Sequence, residues 1–277
     1  MDRKSYINEN LIKHHLEAED TCLKSGDDIF GTMLQGSQNY NLDIYSPEYM
    51  SDIDCKVIVL PSFENFCNNR QPVSTTDVLN NNEHNDRKDI RLMFENFKKQ
   101  NVNFTEIMFT DYYVLSPNYT SNWMEVRNLA ERFVHAHPAQ ALKTMSGQSM
   151  EKRKALTHPY PACIDKINKY GYDGKQLHHI IRINDFMKKY LAGMSFKECL
   201  DARTGANYEL SIDAKLNDIP FDVAIKLADK FNDENRELKD NYIEKYGDKI
   251  IDIEVYNQLD EIKVDILKKH FKKQLEG

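Results

Sequence analysis

A mixed α/β first half that carries a sheet, followed by an α-helical second half, is the fold class this sequence predicts, and three observations predict it. Apolar runs rich in β-branched residues and bounded by turn residues lie before residue 120, the plainest being "DCKVIVLP" (54–61). From Trp123 onward almost every apolar residue recurs at helical spacing, with Trp123, Val126, Leu129 and Phe133 on one face. The length, 277 residues, suffices to bury one large core or two modest ones. The expected organisation is therefore a domain over residues 1–120 and a helical domain over 121–277, with no internal repeat.

Taken in order, residues 6–24 place Ile7, Leu11, Leu16 and Leu23 at helical spacing and predict an opening amphipathic helix that stops near Gly26. "IFGTMLQ" (29–35) predicts a strand. The 54–61 run is apolar nearly throughout and closed by Pro61, which predicts a strand buried on both faces. Residues 68–89 hold little that could join a core, and predict a mobile loop leading into a helix through "IRLMFENFKK". The alternation in "VNFTEIMFT" (102–110) predicts a third strand. Further helices are expected near 176–192, 220–231 and 252–271.

Composition narrows the function classes. No apolar run approaches the roughly 20 residues of a membrane-spanning helix, and the charged N-terminus lacks the apolar core of a signal peptide, so the expectation is a cytoplasmic protein with no membrane partner. Cys22, Cys55, Cys67, Cys163 and Cys199 form no C-x-x-C pair, which argues against a zinc site and a disulfide framework and for free, mostly buried thiols. A net charge of -7 argues against non-specific coating of nucleic acid. The basic run 143–156 reads first as a solvated helix face, with contact to phosphates as the alternative. The "HAH" at 135–137 reads as a helix end rather than a metal site, because alternate residues diverge around a helix and Pro138 follows.

The chemistry concentrates upstream. In a strand Asp52 and Asp54 point to the same side, with Ile53 opposite. Two carboxylates so placed repel unless a cation lies between them, and Mg²⁺, which takes oxygen ligands and bridges carboxylates to phosphates, meets that need. Just upstream, Gly36 lets the backbone approach a ligand closely and the Ser37 hydroxyl can donate to a phosphate oxygen. Glu106, an acid among apolar neighbours, is the expected third carboxylate, with Asp111 as the substitute.

The order strand, Gly-Ser, linker, Asp-x-Asp opening an apolar strand, then an isolated acid resembles the nucleotidyltransferase superfamily related to DNA polymerase β, over about residues 25–112. The resemblance implies a polymerase-β-like α/β domain with a mixed sheet. It also implies that Gly36 and Ser37 hold the triphosphate, that Asp52 and Asp54 bind two Mg²⁺ ions (with Mn²⁺ as a substitute), and that Glu106 assists the acceptor hydroxyl. The linker, which contains "YSPEY" (45–49), is longer than the shortest versions of the motif, and the chain has no obvious tRNA-binding or zinc-binding appendage.

A second stretch, "GYDGKQLHHIIRINDFMKKYLAG" (171–193), is similar to a helix of predicted nucleotidyltransferases of bacteria and their phages. Lys175, His179 and Arg182 share one side of that helix, and the resemblance implies that they bind phosphates, while His178 points elsewhere. Without it the helix reads as a basic face in water with a packed histidine. The implied activity is metal-dependent transfer of an NMP from an NTP, ATP being the donor chosen for its abundance, to a hydroxyl of an unspecified small molecule, protein or RNA end, with release of pyrophosphate. The helical domain is then expected to close over the nucleotide and choose the acceptor. The alternative is a catalytically silent nucleotide-binding or protein-interaction module on the same fold.

Overall fold

The computed structural model describes residues 2–46, 50–79 and 83–276. Residues 47–49 of the "YSPEY" linker, and residues 80–82 within the stretch expected as loop, lie outside the described residues. The architecture is a mixed-sheet N-terminal region followed by an extensive α-helical C-terminal region. The chain forms two compact units, one of Met1–Asn39, Asp43–Ala136 and Ile251–Gly277, the other of Tyr40–Leu42 and His137–Ile250.

The sheet unit opens with α1 (Arg3–Lys24), capped by the Asp2 carboxylate on the Ser5 N–H at 3.0 Å. Next come β1 (Asp28–Gln35), β2 (Asp54–Leu60), the short α2 (Phe63–Cys67), β3 (Ser74–Val78) and β4 (His84–Asp89). They are followed by α3 (Ile90–Lys98), α4 (Val102–Thr105), β5 (Tyr113–Leu115) and α5 (Thr120–Val134). The strand order is β3-β4-β2-β1-β5, with β2 and β4 parallel and the other neighbours antiparallel. Odd-numbered side chains of β2, with Ile53, pack under α1 against Ile7, Leu11, Ala18 and Cys22. Phe30 on β1 meets Tyr119 and Trp123, with ring centroids 5.5 and 6.0 Å apart.

Two expectations are corrected here. The 68–89 stretch contains β3 and β4, polar strands joined by their ladder and by cross-strand pairs such as Arg87 to Asp77 at 2.5 Å rather than marked by apolar alternation. The expected third strand over 102–110 is instead the helical turn α4 and a 3₁₀ turn, Glu106–Met108. Asn101 starts that turn by accepting from the Asn103 N–H at 3.1 Å, and a short apolar run does not separate helix from strand by periodicity.

The helical unit contains α6 (Pro138–Ala155), α7 (Ile164–Tyr170), α8 (Gly174–Leu191), α9 (Phe196–Leu200), α10 (Tyr208–Leu216) and α11 (Phe221–Tyr246). Its core gathers Leu177, Ile180 and Ile181 of α8 with Ala214, Ala224, Ala228 and Phe231. The last helix, α12 (Ile253–Glu276), belongs to the sheet unit, where its Tyr256 ring lies 5.0 Å from Phe133 of α5. The units therefore divide elsewhere than at the expected 120/121 boundary. The apolar face of α5 covers the sheet through Trp123, and α12 packs on α5, so both helices complete the first core.

Candidate functional site

In the sheet unit the Gly-Ser pair follows β1 directly as a one-turn 3₁₀ helix, Gly36–Gln38, with Gly36 at φ +85°. That left-handed backbone is the reason a glycine stands there. The antiparallel register sets Gln35 opposite Asp54, so the turn leaves β1 beside the start of β2. Glu106, 1% exposed, comes from the other side of the sequence to accept the Gly36 N–H at 3.0 Å. Gly36, Asp54 and Glu106 thus assemble at one end of the sheet although the acid is not on a strand. Asp111 is 62% exposed and pairs with Arg127 at 3.6 Å, as a solvated turn residue would.

Asp52 precedes the strand and is half-buried, and Asp54 is its first residue. Between them Ile53 is fully buried, and its N–H donates to Glu83 Oε1 at 3.0 Å. The next residue, His84, donates its backbone N–H to Asp54 Oδ1 at 2.9 Å, and its Nδ1 lies 2.9 Å from the same oxygen. Glu83 is in turn held by buried His14, whose Nε2 is 2.8 Å away and whose Nδ1 lies 2.8 Å from Asn85 Oδ1. Burial opposes the charge on His14, but its bonds to Glu83 and Asn85 and the charges of Glu83 and Glu17 raise its pKa above the ordinary value. The start of β4 therefore clamps the Asp-x-Asp segment from the parallel strand. On the same side of β2 as Asp54, Lys56 is buried, pairs with Asp86 at 2.7 Å and sits 4.0 Å from the centre of the Phe104 ring.

The predicted phosphate residues lie in the helical unit, on α8. The Asp173 side chain caps that helix on the Lys175 N–H at 3.1 Å. Lys175 is exposed and His179 half-buried, while Arg182 is 5% exposed with its guanidinium 3.9 Å above the Tyr40 ring. Burial, then the neighbouring His178 and the positive charges of Arg182, Lys152 and Lys175, hold His179 well below the ordinary histidine range. His178 turns away from this group, as expected, and donates Nδ1–H to the Ser211 carbonyl at 3.1 Å.

Among the described residues no group of three or more His, Cys, Asp or Glu side chains is arranged to hold a metal ion, and no helix is long and apolar enough to cross a membrane. The five cysteines are free, with Cys67 exposed, Cys163 half-buried and the others buried. Sequence reasoning missed Glu83, His84 and Lys56, whose roles depend on the parallel pairing of β2 with a polar strand. It also left Lys152 within a run read as possible solvated surface. The one signal available was that this lysine lies in a basic stretch of a helix. No protein-family model, curated protein or solved structure matches this chain.

Proposed function

We propose that this chain is a metal-dependent nucleotidyltransferase, moving the NMP of an NTP, with ATP the expected donor, onto a hydroxyl of a small molecule, a protein or an RNA end. The observation that supports this reading is the meeting of the Gly-Ser turn, the opening of the Asp-x-Asp strand and a buried acid at one end of the sheet, carried by the Gly36 bond to Glu106. The donor set of Asp52, Asp54 and Glu106 is all carboxylate oxygen, which fits Mg²⁺. That ion is commonly held by one or two carboxylates, its remaining positions filled by water and substrate phosphates, so a ready-made cage of three side chains is not required. When bound, Mg²⁺ supplies charge stabilisation for an in-line displacement at phosphorus.

Within that reaction the oxygen of the acceptor hydroxyl forms a bond to the α-phosphorus, the bond to the β-phosphate bridging oxygen breaks, and pyrophosphate leaves. Glu106 takes the hydroxyl proton, held in place for this by the Gly36 N–H. The Ser37 hydroxyl donates to a phosphate oxygen, Glu83 holds the Ile53 backbone and His84 fixes Asp54. Lys175, His179 and Arg182 are, within the helical unit, the residues expected to donate to phosphate. A cytoplasmic setting goes with this reading, since NTPs and reduced thiols belong together there.

Titration calorimetry with each NTP and Mg²⁺, with Asp52→Asn/Asp54→Asn as control, tests the proposal. Metal-dependent binding lost in the double variant is the expected result, followed by transfer of label from α-labelled NTP to an acceptor. A folded wild type that binds no NTP would end the enzyme reading. One observation favours a silent nucleotide-binding module instead: Asp54 is already engaged by both N–H and Nδ1 of His84. Tight NTP binding without transfer to any of the three acceptor classes would select that module.

A further inference from the structure

The helical unit contains a cluster of positive charge with an unmet hydrogen-bonding demand. Arg182 is 5% exposed, and its Nε is buried without a hydrogen-bond partner. A buried guanidinium donor left unpaired is costly, and native structures tolerate one where a ligand or ion completes it. Lys152 belongs to α6, which packs against α8; it lies half-buried and near enough for the charges of Lys175 and Arg182 to act on it. Its ammonium is held below the ordinary lysine range by burial, and then by repulsion from Lys175 and Arg182. Among the described residues no carboxylate lies within ion-pair distance of Lys152, Lys175 or Arg182, whereas the adjacent Arg153 is paired with Asp229 at 2.6 Å. The opposing charges near Lys152 are those of Glu151 and Asp173, which rank below the cations in their effect on it.

Helices α6 and α8 are joined through Asn235 of α11. Asn184 Nδ2 donates to Asn235 Oδ1 at 2.9 Å, and Asn235 Nδ2 donates to Ser149 Oγ at 2.9 Å, all three residues buried. The Tyr40 ring supports the Arg182 guanidinium from one face. The cations are therefore held against mutual repulsion by a rigid frame, which is how a preformed anion site is built. Several cations from two helices, with a planar guanidinium among them, suit a ligand with several oxygens on more than one phosphorus.

We propose that Lys152, with Lys175, His179 and Arg182, forms a polyphosphate-binding site in the helical unit, and that Lys152 is a direct contact of the ligand. The inference stands on the geometry of this unit and deepens the nucleotidyl-transfer reading by naming the phosphate tail, free or carried by a nucleoside, as the ligand class. The test is titration calorimetry with inorganic triphosphate in EDTA, so that no metal bound by the carboxylates contributes. The proteins are the full-length wild type, Lys152→Gln, Lys154→Gln and Asp52→Asn/Asp54→Asn.

Wild type and the aspartate double variant are expected to bind triphosphate alike. Lys154→Gln, on the exposed side of α6, should stay within about twofold, while Lys152→Gln weakens binding about tenfold, the size of one charge-assisted hydrogen bond. The same loss with ATP in EDTA would assign the site to the tail of a nucleotide, and a loss with triphosphate alone to free polyphosphate. No binding by the wild type, unchanged binding by Lys152→Gln, or equal losses in both lysine variants would overturn the proposal. Because EDTA removes the metal, loss of Mg²⁺-dependent NTP binding in the aspartate variant remains a separate result.

Discussion

The backbone N–H of Gly36 donates to Oε1 of Glu106 at 3.0 Å, across seventy residues of chain. A fully buried carboxylate is thereby committed to a backbone turn that a left-handed glycine opens. The two residues share one structural role and, on the nucleotidyl-transfer reading, one chemical role, and substitution can separate these.

Glu106→Gln keeps an amide oxygen to accept the Gly36 N–H but removes the charge. The expected variant melts within a few degrees of the wild type and loses transfer by about a hundredfold or more, the scale of a general base. Glu106→Ala also leaves the N–H without its partner, at about 1–3 kcal/mol of stability. Thermal melts together with α-labelled NTP turnover separate the two effects. A glutamine variant with wild-type turnover would remove Glu106 from the chemistry.

Glycine substitutions distinguish backbone conformation from space. A Cβ at Gly36 would meet nothing within 4 Å, so Gly36→Ala costs only the left-handed backbone, about 1–2 kcal/mol. At Gly174, the first residue of α8, a Cβ would lie 2.0 Å from the Ala214 carbonyl oxygen. Gly174→Ala must push α8 from α10 and is expected to cost about 3 kcal/mol or more. Denaturant unfolding followed by circular dichroism checks the order. Equal losses at the two positions would mean that the close packing at α10 relaxes freely.

How far the sequence was legible depended on which force holds each part. β1, β2 and α1 are stabilised by burial, and apolar residues announced them within a few residues, although on α1 Leu16 and Leu23 face water while His14, Ala18 and Cys22 join Ile7 and Leu11 in the buried face. β3 and β4 are stabilised by cross-strand ion pairs such as Arg87 with Asp77, which in one dimension look like any polar loop. Glu106 was legible as an unusual acid but not as part of a helical turn, because Asn101 rather than periodicity decides that conformation. His84 and Glu83 were invisible, since only the parallel pairing of β4 with β2 brings them to Asp54 and Ile53. The assignment of α5 and α12 to the sheet unit rests likewise on contacts distant in sequence, those of Phe30 with Trp123 and of Phe133 with Tyr256.

The His14 and Glu83 pair sets a pH dependence in the sheet unit. The folded-state pKa of His14 is raised, so its contribution to stability is fully present below the unfolded value near 6.5 and is lost as pH rises through the higher folded value. Trp123, the single tryptophan, is fully buried in α5 of this unit and reports its unfolding by fluorescence. Denaturation followed at Trp123 should show a fall in stability as pH is raised above 6.5, and His14→Gln should flatten it. A wild-type curve that rises over this window, or one that His14→Gln leaves unchanged, would show that the pair is neutral in the folded protein.

In the helical unit the sign is reversed. Burial, followed by the nearby charges of Lys215, Arg182 and Lys175, lowers the pKa of His178 to about 3, despite its bond to the Ser211 carbonyl. A depressed histidine contributes stability above its unfolded value near 6.5, and that contribution is lost as pH falls, because the unfolded chain takes up a proton that the folded chain refuses. Below pH 6.5 one such group removes about 1.4 kcal/mol for each further pH unit. His179 is lowered in the same direction by burial and by the surrounding cations, so the two slopes add. His178→Asn keeps an N–H for the Ser211 carbonyl and removes the titration. Between pH 6.5 and 5, denaturation followed by circular dichroism should lose stability in the wild type about 1.4 kcal/mol per pH unit faster than in His178→Asn. A polyphosphate bound by the same cluster would relieve the repulsion that helps to hold His179 neutral. Triphosphate should therefore protect the unit at low pH in the wild type, and less so in Lys152→Gln. Parallel curves for wild type and His178→Asn would mean that His178 takes up its proton without unfolding, and that the packing of α8 against α10 opens to water in acid.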